Sequence, residues 1–90
     1  MNAEIIARHV LRALASAQVR GIVVDLSWLA SEVPVRRRDL RSAVTQLDQA
    51  GLVDALRMRL SLRGFAIGFA LQSAQLPALR APRQPITVAA

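Results

Sequence analysis

Apolar residues recur at helical spacing almost from the start of the chain. Between Ala3 and Gln18, Ile6, Val10, Ala13, Leu14 and Ala17 fall on one face, which predicts an amphipathic first helix. Asn2 is placed to cap it, Gly21 to end it, and Glu4 and Arg8 are spaced for an i,i+4 ion pair. His9 lies beside the apolar face, where a boundary histidine is the plain reading. Ile22-Val23-Val24 is short and β-branched and predicts a first strand. Asp25 then caps a second helix, in which Leu26, Leu29, Ala30 and Val33 share a face and Trp28 seals the helix onto the rest, a ligand-pocket wall being its alternative role. Pro34 cannot continue that helix, because its ring clashes with the preceding turn and it lacks an N–H.

A new helical pattern begins near Arg36. Leu40, Val44 and Leu47 point inward with Ala43 beside them. Arg38, Ser42, Thr45 and Gln49 point outward, with Arg41 on the flank, and Gly51 stops the helix. From Leu56 to Leu62 the period changes to two: Leu56, Met58, Leu60 and Leu62 alternate with Arg57, Arg59 and Ser61. With Leu52-Val53 this predicts a short hairpin turning near Asp54-Ala55. Ser61 caps a fourth helix from Leu62 to about Ala74. That helix is apolar nearly all round. Leu62, Phe65, Ala66 and Phe69 form one face; Gly64, Ile67, Gly68 and Leu71 form the other. Pro77, Pro82 and Pro85 then exclude a helix, so residues 76–90 read as an extended arm carrying Arg80 and Arg83, with Ile86-Thr87-Val88 as a short strand should it find an edge.

Ninety residues allow one core, assigned to residues 1–75, and 53% hydrophobic residues are enough to build it. The net charge of +6 comes from twelve basic residues, all arginine, against six acidic ones. Such a balance in a small domain favours polyanions. No cysteine is present, so disulfides and thiolate metal sites are excluded, and a single histidine, with neither cysteine nor a second histidine, makes no metal site. There is no Gly-rich phosphate loop and no His-Glu motif, and the acidic residues are scattered. Neither an enzyme nor a cofactor is expected. No apolar run reaches the ~20 residues of a membrane span, and no signal peptide is expected at the N-terminus, so the expected location is cytoplasmic.

Charge has a definite place on the chain. Arg36, Arg37 and Arg38 occupy the amino-terminal turn of the third helix, where the backbone dipole is already positive and only Asp39 offsets them. Facing phosphates and base edges would account for a run placed there; a solvated charged face is the alternative. A short helix, a tight turn at Pro34 and a longer arginine-rich helix form a helix-turn-helix pattern. Leu29-Ala30, Val33, Val35, Leu40, Val44, Leu47, Gly51-Leu52-Val53 and Leu60-Ser61-Leu62-Arg63-Gly64 fall in the order of its landmarks, so the chain from Ile5 to Leu71 resembles winged helix-turn-helix bacterial transcription regulators.

The resemblance implies a mainly α fold with a small β-hairpin; the chain departs from many such regulators in its shorter wing, and it carries an extra C-terminal helix. It also implies sequence-specific binding of double-stranded DNA. Arg37, Arg38, Arg41, Ser42 and Thr45 would reach base edges or nearby phosphates; Arg36, Arg57 and Arg59 would mainly hold phosphates. The rival reading is a protein–protein adaptor of the same shape without specific DNA binding, and its best feature is the two-sided fourth helix. That feature also predicts a homodimer through Gly64, Ile67, Gly68 and Leu71, with the chain's own C-terminal tail folding back over that face as the alternative.

Overall fold

The computed structural model describes residues 3–76, 78 and 79. Capping by Asn2 and the Ile86-Thr87-Val88 strand lie outside these residues. In order the chain forms α1 (Ala3–Arg20), α2 (Leu26–Glu32), α3 (Arg37–Gln49), β1 (Val53–Asp54), β2 (Arg59–Leu60) and α4 (Leu62–Ala70), followed by a 3₁₀ turn at Leu71–Ser73. The described part is therefore mainly helical, with a small two-stranded antiparallel sheet.

α1 organises the packing. Ile6, Val10, Leu14 and Ala17 are buried as their spacing predicts, but so are Leu11 and Ala15, while Ala13 is only partly covered. The stripe is wider than expected because α1 packs on both α3 and α4, and the second contact falls on Leu11 and Ala15. Glu4 and Arg8 form the ion pair at 3.0 Å. Leu29, Val33, Leu40, Ala43, Val44, Leu47 and Val53 complete the core, with Trp28 packed against it. Asp25 caps α2 through the Trp28 N–H (2.8 Å).

Gly21 and Gly51 end α1 and α3 in the same way. Each adopts positive φ (71° and 78°), a region open to glycine at little cost. Behind each, two N–H groups return to orphan carbonyls of the last turn: Gly21 to Gln18 and Ile22 to Ala17, then Gly51 to Asp48 and Leu52 to Leu47.

Three expectations need correction. Ile22-Val23-Val24 forms no strand, and Val23 is 93% exposed. The Ile22 N–H is used to close α1, and the Leu60 N–H donates to Gln18 Oε1 (2.8 Å), so a side chain takes that edge position of β2.

The hairpin is also shorter than the alternation suggests. Val53 pairs with Leu60 and Asp54 with Arg59, and residues 55–58 make the turn. Asp54 Oδ1 accepts the N–H groups of Leu56 (3.1 Å) and Arg57 (3.3 Å), which bends the chain just where the alternating run begins. Leu56 and Leu62 are exposed, leaving only Met58 and Leu60 partly buried.

The third correction concerns α4. Ser61 starts it as expected, accepting the Gly64 N–H (3.1 Å) and donating to the Gly51 carbonyl (2.7 Å). Its faces are the reverse of those assigned from sequence. Gly64 lies against the Leu52 carbonyl, and a Cβ on Gly68 would sit 2.5 Å from the Leu11 carbonyl oxygen. The small residues thus admit α1 and the hairpin base of the same chain, not the helix of a second subunit. Leu71 packs on the core and Ile67 is 41% exposed. Leu62, Ala66 and Phe69 face outward, Phe65 is half-buried, and the two phenyl rings stack 5.9 Å apart.

Candidate nucleic-acid interface

Among the described residues α3, with its N-cap, carries the largest share of the exposed basic charge. Its buried stripe of Leu40, Ala43, Val44 and Leu47 fixes the helix's rotation, so Arg36, Arg37, Arg38, Arg41, Ser42 and Thr45 are all exposed. Arg38, Ser42 and Thr45 lie close to one line at about 100° per residue, with Arg41 beside them. The structure therefore brings together the residues expected to read bases.

Electrostatics sharpen the site. Arg36 is the N-cap of α3 and makes no side-chain capping bond. Three guanidinium groups thus crowd the positive end of the helix dipole, where a cation is disfavoured by some tenths of a kcal/mol to about 1 kcal/mol and an anion is favoured. Asp39 is the only acid in that turn, and among the described residues it forms no ion pair with the arginines. Arg37 is steadied by Ser27 at the start of α2, with Nη2 3.4 Å from the hydroxyl. The sequence gives no sign of this contact, because the two residues are ten apart and meet only through the turn at Pro34.

The hairpin arginines lie elsewhere. Arg57 and Arg59 are exposed on the turn and β2. Arg57 is partly engaged, its Nε 3.8 Å from Asp54 Oδ2. Asp48, near the end of α3, accepts the Ala55 N–H (2.8 Å) and fastens the hairpin to that end of the helix. Arg36, Arg37 and Arg38 stand at the other end, ~18 Å away along 13 residues. Sequence reasoning passed over Asp48; an acid shortly before a helix-ending glycine was the only available signal.

Gly64, Gly68 and Leu71 are turned inward, so of the four residues assigned to a dimer interface Ile67 alone is exposed. No group of three or more His, Cys, Asp or Glu side chains among the described residues is placed to hold a metal ion. No helix among them is long and apolar enough to cross a membrane. A scan against protein-family models, a search of curated proteins and a search of solved structures return no match to this chain.

Proposed function

We propose that this chain is a winged helix-turn-helix domain that binds double-stranded DNA sequence-specifically, as a small transcriptional regulator. The order α1-α2-α3-β1-β2-α4 and the tight α2–α3 turn at Pro34 support the fold. One observation carries the function: Arg36, Arg37, Arg38 and Arg41 stand exposed on the outer side of α3 and, among the described residues, without acidic partners. In this reading α3 enters the major groove. Arg37, Arg38, Arg41, Ser42 and Thr45 meet base edges and adjacent phosphates, while Arg36, Arg57 and Arg59 hold the backbone.

Affinity for a duplex selected from random sequence should fall steeply with salt, each neutralised phosphate adding about 0.9 to the slope of log affinity against log salt. Arg59→Ala should weaken every sequence alike. Arg38→Ala and Arg41→Ala should also flatten sequence preference, losing ~1–3 kcal/mol of discrimination for a bidentate base contact. Unchanged affinity and preference in both α3 variants would refute the role of α3.

The same reading calls for two copies, since one small domain reads few bases and paired recognition helices read half-sites about one DNA turn apart. In this reading the dimer surface is the outer side of α4, where Leu62, Ala66 and Phe69 are exposed and Phe65 is half-buried beside them. Phe69→Glu should give a folded monomer by sedimentation, with weakened operator binding. A parent chain that is monomeric at ~100 μM would remove the dimer and leave DNA binding standing. A monomer that also ignores duplex DNA, while that apolar surface captures another protein, would favour the adaptor reading.

A further inference from the structure

A second site lies away from the arginines of α3. His9, Arg12, Ala13 and Ser16 of α1, Glu32 and Val33 at the end of α2, and Gln72 of the 3₁₀ turn line an open cleft of about 290 Å³. That is near the lower bound for small-ligand pockets. One wall is held in place. Gln72 Nε2 donates to the carbonyls of Arg12 (2.9 Å) and Gly68 (3.1 Å), tying the turn to α1. Arg12 Nη2 lies 3.4 Å from His9 Nδ1, and its Nη1 is 3.5 Å from the Ala74 carbonyl, a marginal contact.

The charge arrangement is selective. Arg12 and Glu32 line the same small space yet form no ion pair. Among the described residues neither the Glu32 carboxylate nor the Ser16 hydroxyl has a hydrogen-bond partner. A ligand with one charge would satisfy one wall and leave the other unmatched. A small zwitterion matches both.

We propose that this cleft binds a free α-amino acid, with its carboxylate on Arg12 and Ser16 and its ammonium group on Glu32. Charge-assisted bonds of this kind are the stronger class. The site adjoins the α2–α3 turn: Glu32 and Val33 directly precede Pro34, and the Val33 N–H closes α2 on Leu29 while its carbonyl accepts the Val35 N–H. Occupancy therefore bears on the angle at which α3 is presented. Binding of the amino acid stands independently of DNA binding; only this regulatory consequence rests on the function proposed above.

The test uses the 90-residue chain without DNA. Backbone amide shifts are followed by NMR as single L-amino acids are added, with acetate and ethylamine as one-charge controls. Saturable shifts at Arg12, Ser16 and Glu32 with at least one amino acid, and weaker binding of both controls, are expected. Glu32→Gln and Arg12→Gln should each reduce that affinity about tenfold or more. Glu32 is exposed, so its variant keeps the test valid should Arg12→Gln fold poorly. Acetate binding as tightly as the amino acids, indifference to Glu32→Gln, or no shift with any amino acid would each overturn the proposal. Saturable binding without effect on DNA affinity would remove the regulatory consequence alone.

Discussion

Gly64→Ala should destabilise the domain by about 2 kcal/mol or more, although alanine is the better helix former by ~1 kcal/mol. The added methyl would run into the Leu52 carbonyl. That is backbone and cannot rotate away. It also accepts the Ser61 N–H (2.9 Å), so displacing it strains the junction of the hairpin with α4. The remaining escape is for α4 to move off its seat, which opens its contact with Leu11 and Ala15. Gly68→Ala meets a second obstruction, the Leu11 carbonyl and the Ala15 methyl at 2.5 and 3.0 Å. Ala66→Gly on the exposed side of the same helix should cost only the ~1 kcal/mol of propensity. Urea denaturation compares the three. A Gly64→Ala variant more stable than its parent would show that α4 does not approach so closely.

Leu40→Ala should cost roughly 2–5 kcal/mol, as removal of a buried leucine side chain does. Leu40 is fully buried, on the first inward position of α3 and in contact with the core built on α1. A loss of that size is a large share of the ~5–15 kcal/mol expected of a whole domain, and in a chain this short each kcal/mol lowers Tm by about 4–8 °C. Gln46→Ala and Gln49→Ala, on the exposed side, should stay within about 0.5 kcal/mol. Thermal and urea unfolding of the four proteins read this directly. Equal small losses at all positions would mean that α3 is rotated, and the arginine surface with it.

Where one face of an element is apolar and the other polar, the sequence was enough. α3 is the clearest case: Leu40, Val44 and Leu47 admit one rotation, and the exposed arginines follow from it. Asp25 and Ser61 were legible as caps because their oxygens act on N–H groups three residues on. α4 was not legible in the same way. With apolar residues all round, its periodicity names no inner face, and glycine adds no hydrophobic signal although it permits the closest approach. The Leu56–Leu62 alternation misled for another reason. A period of two describes side chains, whereas the chain direction there is set by Asp54 capturing two backbone N–H groups. Within the candidate interface the exposed residues of α3 could be named from the sequence. The contacts that position them, Ser27 to Arg37 and Asp48 to Ala55, join residues on different elements and needed coordinates.

The packing of α1 against α4 has a consequence for biosynthesis. About 40 residues separate the end of α1 from the start of α4. At ~5–20 residues per second, the ribosome delivers α4 some 2–8 s after α1. Through that interval Leu11 and Ala15 lack the helix that covers them, and Gly68 is among the last core contacts to be translated. The nascent chain is therefore most vulnerable to holdase capture or proteolysis while α1 waits for α4, and native structure should appear late and all at once as α4 clears the exit tunnel.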